Sequence, residues 1–150
     1  GRDEQYIDSH TLVDHRIPHC QSNELYKGIL TDKARGVFNG KVIVHKDAQK
    51  INAFQQNSSL LLSDHAVMDA KPQLEIFADD VKCSHGATIG QLDEESVFYL
   101  RSRGLTDQKA RETLQTAFLL QIMDLVPHEA LRQHMGRLIT HKLAEATTDL

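Results

Sequence analysis

The chain has 150 residues, 40% of them hydrophobic and 25% charged, which is enough for one ordinary core or two small ones and excludes a disordered or fibrous class. With 17 Lys and Arg against 21 Asp and Glu, a formal net charge of -4, aromatics at 5% and no basic stripe, neither nucleic acid nor an anionic membrane is expected as a partner. Apolar runs such as Leu60-Leu61-Leu62 are too short to span a bilayer and the start Gly1-Arg2-Asp3-Glu4 has no signal-peptide core, so a cytoplasmic location with Cys20 and Cys83 reduced is expected.

From Gln5 to Ile89 the chain reads as short runs rich in Val, Ile, Leu and Phe, broken by Gly, Asn, Asp or Pro, with no helical period. Strands are predicted at Thr11–Val13, Leu25–Leu30, Arg35–Val44, Lys50–Phe54, Ser59–Leu62, Leu74–Phe77 and Val81–Cys83. The loose recurrence of apolar residues around a glycine suggests a solenoid whose rungs each bury a face on their neighbours. A β-sandwich is the competitor, but only Asn39-Gly40 offers the tight hairpin turn that sandwiches use, and it sits inside an apolar stretch. In a solenoid, Asn52 and Asn57 are expected to ladder along the stack, with Gln55, Gln56 and Ser58 exposed at a corner.

The segment from Asp79 to Gly90 holds the most suggestive chemistry. In an extended backbone Val81, Cys83 and His85 point one way and Lys82 and Ser84 the other, so a thiol and an imidazole share a face. That is half of a metal site, because closed tetrahedral sites take four protein ligands and open ones three. The alternative is a buried free cysteine beside a histidine bonded to backbone.

Near residue 92 the period becomes helical. Asp93 is a good N-cap for a helix over Glu94–Ser102, with acids in its first turn and Arg101 in its last. Thr106 or Asp107 opens a longer helix that reaches Val126 and is ended by Pro127, and a third runs from about His128 to Ala144. Two domains follow, a β segment over residues 1–91 and a helical one over 92–150.

The block Lys71-Pro72-Gln73-Leu74-Glu75-Ile76 through Cys83-Ser84-His85-Gly86-Ala87 resembles a specific signature of the SufB/SufD family of SUF iron–sulfur cluster assembly scaffolds, on its SufD side. Gly36–Gly40, Asn57–Leu62 and Phe98–Gly104 follow the same family in order, and the resemblance covers nearly the whole chain as the family's C-terminal half. It implies a mainly β fold with added helices, a partial right-handed parallel β-helix followed by a small C-terminal helical domain. It implies edge-to-edge pairing with a SufB-like paralogue, a homodimer as a further possibility, and a SufC-like ATPase docked on the helical domain. His85, accompanied by Cys83, matches the family's metal position, where a transient iron–sulfur cluster is built with ligands from the partner chain. The family's N-terminal helical region and early strands are missing, so the sequence is expected to be a piece of a longer protein. The reduced flavin associated with the family's scaffold complexes is assigned to no residue here.

The physical logic agrees with this. Thiolate and imidazole both suit iron, and a cluster that must leave is best held by few ligands. No phosphate loop is present, since Gly36-Val37-Phe38-Asn39-Gly40 lacks the terminal Lys-Ser/Thr. His128-Glu129 lacks the second histidine of a zinc-protease helix, His134 and His141 are seven apart with no bridging ligand, Cys20 reads as core, and Asp79-Asp80 reads as a solvated corner or an orienter of His85 or Lys82. A non-enzymatic cluster-assembly scaffold ranks first. A carbohydrate-active β-helix enzyme ranks below it, for want of tryptophan platforms. A plain interaction module, in which Cys83 and His85 only pack, is the remaining alternative.

Overall fold

From Gly36 to Val44 the chain alternates buried and half-buried residues without a break, the period of two that an extended chain adopts when one of its faces is covered. The computed structural model describes residues 1–148, with side chains to residue 143; the last two residues of the expected helical domain lie outside the described residues. Six strands come first, β1 (Tyr6–His15), β2 (Gln21–Leu30), β3 (Arg35–Val44), β4 (Ile51–Leu61), β5 (Val67–Ile76) and β6 (Val81–Gly90). They alternate between two three-stranded sheets of order β1-β3-β5 and β2-β4-β6. All pairings are parallel and in register: Tyr6 lies beside Arg35 and Arg35 beside Val67, while Gln21 lies beside Asn52 and Ile51 beside Val81.

The expected right-handed parallel β-helix is therefore corrected. Each pass of the chain supplies one strand of ten or eleven residues to each of two separate parallel sheets, and three helices follow, an α/β arrangement. The recurrence of apolar runs reports this alternation between sheets, and a run length alone does not distinguish the two architectures. Short turns make the alternation possible, with His19, Asp32 and Lys50 in the left-handed region at φ 62, 56 and 60°. Pro72, which lacks an N–H, sits on the outer strand β5, where a missing ladder donor is tolerated.

Side chains from both sheets meet in the interior. Val42 and Val44 of β3 pack with Ile51 and Ala53 of β4 and with Ala48, and Val13, Leu74, Val81, Cys20 and Cys83 close around them. Burial of each large aliphatic side chain contributes about 1.5–3 kcal/mol. Phe38 meets Tyr26 at 4.7 Å between ring centroids. Beyond Ala53 the inward row of β4 turns polar, with Gln55, Asn57 and Ser59 all buried. Polar residues in an interior are stable only where hydrogen bonds replace water, and Ser59 Oγ donates to Asn57 Oδ1 at 3.2 Å.

The chain divides into two compact units, Gly1–Gly90 and Gln91–Leu150. The second contains α1 (Glu94–Ser102), α2 (Asp107–Leu120), a 3₁₀ turn (Met123–Leu125) and α3 (Glu129–Thr148). Asp93 caps α1 by accepting from the backbone N–H groups of Glu95 and Ser96, and Thr106 caps α2 by accepting from Lys109. Arg111 clamps the two helices, donating to both carboxylate oxygens of Glu94 at 2.9 Å and to Asp107 at 2.8 Å. The second helix ends at Leu120 rather than at Val126: the chain tightens into the 3₁₀ turn, and Val126 is already extended, as a residue before proline prefers. No described helix is long and apolar enough to cross a membrane.

Candidate functional site

β6 is the outer strand of its sheet, and its register decides what each side chain of the Cys-Ser-His segment meets. Cys83 lies beside Ala53 and His85 beside Gln55, so both continue the inward rows of β4 to the sheet's edge. Their surroundings differ. Cys83 is half-buried and packs against the Val42–Val44–Ile51–Ala53 cluster. Burial pushes its thiol up, and a hydrogen bond from the Ala53 backbone offsets this in part. The uncharged thiol is thus favoured, the weaker metal ligand. His85 is exposed, and its imidazole is the donor that a second molecule can reach. No cluster of three or more His, Cys, Asp or Glu side chains able to hold a metal ion occurs among the described residues. The arrangement can offer one nitrogen, and a sulfur once the thiol ionises, to a metal whose other ligands come from elsewhere.

The row behind His85 consists of Glu24 on β2 and Gln55 on β4. Gln55 is 2% exposed, and its Nε2 donates to Glu24 Oε2 at 2.7 Å. This corrects the expectation that Gln55 lies at an exposed corner, and the strands expected at Lys50–Phe54 and Ser59–Leu62 are one continuous strand. The polarity of Gln55 conceals its place in the sequence although its phase does not: Ile51, Ala53, Gln55, Asn57 and Ser59 keep the period of two without a break. Asn52 and Asn57 do not ladder. Asn52 lies beside Gln21 and Lys82, and Asn57 beside Tyr26 and Ala87, on opposite faces of β4.

The remaining candidates are occupied locally. Gln49 Nε2 donates to Asp79 Oδ1, Gln49 Oε1 accepts from the Asp80 backbone N–H, both at 2.9 Å, and Asp80 pairs with Lys50; this pair of acids fastens a turn rather than orienting His85 or Lys82. Cys20 packs on the same core as Cys83. Glu129 accepts from Arg132 and Gln133 on its own helix, and His134 and His141 are exposed on α3. In the helical unit, Phe98 and Tyr99 project outward, 71% and 57% exposed. With Leu100, Leu114 and the acids Glu94 and Glu95 they line an open groove.

The family model of the SUF system FeS cluster assembly SufBD core domain matches residues 1–118. The chain is 43% identical over 139 residues to the iron–sulfur cluster assembly protein SufD of Escherichia coli, covering 93% of this chain and 33% of that protein. It is 46% identical over 136 residues to an iron–sulfur cluster assembly SufBD family protein of Synechocystis, covering 91% and 30%, and 36% identical over 149 residues to one of Mycobacterium leprae, covering 94% and 38%. The chain thus spans about a third of the length of the curated relatives it matches.

Proposed function

Because the chain belongs to the SUF-system SufBD core family, whose work is iron–sulfur cluster assembly, we propose that it acts as a scaffold presenting His85 from the outer strand of the β2-β4-β6 sheet to a SufB-like paralogue. The cluster is the cargo. His85 supplies a nitrogen ligand, Cys83 a reserve sulfur whose use requires loss of its proton, and the paralogue the remaining ligands. One observation carries this: at the sheet edge the imidazole is exposed while its neighbouring thiol is packed into the core. An outer strand carries backbone groups suited to pairing with another chain, and Ile89 on the same strand adds exposed apolar surface at 45%. A homodimer through the same edges is the competing assembly.

The chain is proposed to be a non-catalytic partner, ATP hydrolysis belonging to a SufC-like subunit docked on the helices that follow residue 92. The groove beside Phe98 and Tyr99 is the surface proposed for that contact, because large exposed aromatics are the side chains that most often anchor an interface. Two free cysteines fit the reducing cytoplasm as the place of action.

The test is a pull-down of the full chain with SufB-like and SufC-like partners, followed by anaerobic iron–sulfide reconstitution read by visible absorption. His85→Ala is expected to keep both partners and lose the cluster bands. A variant that builds the cluster like the parent reduces His85 to a surface residue and leaves only the interaction role.

A further inference from the structure

The row Glu24, Gln55 and His85 crosses one sheet from β2 to the outer strand β6 in strict register. A carboxylate only accepts hydrogen bonds, so the 2.7 Å bond from Gln55 Nε2 to Glu24 Oε2 fixes which way the Gln55 amide faces. The NH₂ group is committed to the β2 side. The carbonyl Oε1 is buried and has no hydrogen-bond partner among the described residues. Room for the amide in the interior comes from β3, where Gly40 presents no side chain: a Cβ there would lie 2.5 Å from Gln55 Nε2. A buried carbonyl without a donor is costly and calls for a partner. In the row, the residue on the far side of Gln55 from Glu24 is His85, on the neighbouring strand at a spacing of about 4.8 Å, and its side chain is exposed.

We propose that Gln55 is a positioning residue for His85: Gln55 Oε1 accepts a hydrogen bond from one ring N–H of His85, which fixes a single tautomer and leaves the lone pair of the other nitrogen turned toward the sheet edge. Metal-binding histidines commonly have their second nitrogen held in this way, which sets ring orientation and raises ligand basicity. The Glu24 carboxylate polarises the Gln55 amide and strengthens its carbonyl as an acceptor. The inference rests on the reading of His85 as the ligand that meets the cluster. It deepens that reading by naming what aims the ligand.

The experiment uses the full chain with ring-¹⁵N-labelled histidine, at a pH where imidazole is neutral, with His85→Ala identifying the His85 signals. The parent is expected to show His85 as one tautomer. Gln55→Met, which keeps the volume and removes the acceptor, is expected to give the mixed tautomers of a free imidazole while backbone amide dispersion reports an intact fold. Complexes reconstituted with Gln55→Met are expected to hold the cluster about 10- to 100-fold less tightly. Mixed tautomers in the parent overturn the inference without any variant. A single tautomer that survives in Gln55→Met, or a cluster held as tightly as in the parent once the tautomer is lost, overturns it as well. The tautomer needs no cluster to be read, so failure of the positioning role is distinct from failure of the ligand role, which His85→Ala decides.

Discussion

Gly40→Ala is expected to destabilise the β unit, against the usual effect of replacing glycine in a strand. Gly40 faces the interior from β3. A Cβ there would meet Gln55 Nε2 at 2.5 Å, Phe38 Cζ at 2.6 Å and Gln55 Cδ at 2.7 Å, all well inside ordinary van der Waals contact. Neither neighbour can step aside cheaply. Gln55 is held by Glu24 at 2.7 Å, and Phe38, 1% exposed, is packed on Tyr26. Overpacking of this kind costs about 1–3 kcal/mol, and the smaller unfolded-state entropy of alanine returns about 0.5–1 kcal/mol, so a net loss centred on about 1 kcal/mol is expected. With a slope of about 2 kcal/mol per molar in urea, typical of small proteins, the midpoint should fall by about 0.5 M. Gly28→Ala is the control, since its Cβ would meet only Ser59 Oγ at 3.3 Å, and it should change stability by less than about 0.5 kcal/mol. Adding Gln55→Ala to Gly40→Ala removes two of the three close approaches, so the double variant should lose clearly less than the sum of the two singles. A Gly40→Ala protein as stable as Gly28→Ala, or strict additivity in the double variant, would refute the reasoning.

Two further expectations follow from local geometry. Arg111→Lys keeps the charge but loses the fork that holds both Glu94 oxygens and Asp107; because the site is more than a third exposed, the loss should be only about 0.3–1 kcal/mol, and thermal unfolding should show the gap between variant and parent narrowing in high salt. Burial raises the Cys83 thiol above its ordinary value, so thiolate, the reactive form, is scarcer at neutral pH and appears only as pH rises through the raised value. In a Cys20→Ala background, iodoacetamide should label Cys83 more slowly at neutral pH than a free thiol peptide and on a profile displaced to higher pH; coincident profiles would remove the basis for treating its sulfur as a reserve ligand.

How far the sequence carried these conclusions depends on which physical signal each required. Arg35–Val44 was legible because its apolar residues gather around Gly36 and Gly40 into one continuous run, and Glu94–Ser102 because Asp93 and its acidic first turn mark a helix start. The two-sheet arrangement was not legible. Parallel neighbours such as Tyr6 and Arg35 are separated by an entire strand of the other sheet, and no local pattern encodes which sheet a run of apolar residues joins. The break in the helix expected to reach Val126 was hidden too, because Ile122, Met123 and Leu125 continue an apolar pattern that a 3₁₀ turn satisfies equally well.

The candidate site divides in the same way, and the division explains itself. Cys83 and His85 stand out by residue type, and strand periodicity puts them on one face, yet type and period make them equivalent. Only packing separates them: the strand neighbour of Cys83 is the apolar Ala53, with Ser22 beyond it, whereas that of His85 is the polar Gln55, with Glu24 beyond it. Burial beside Ala53 favours the protonated form of the Cys83 thiol. An imidazole at the end of a row that offers an unpaired buried acceptor has a reason to hold one tautomer. The polar turn in the interior of β4, which looks in sequence like an interruption of the strand, is therefore what makes the two neighbouring side chains chemically unequal, and it is the ground on which the exposed nitrogen rather than the packed sulfur is proposed to meet a partner's metal.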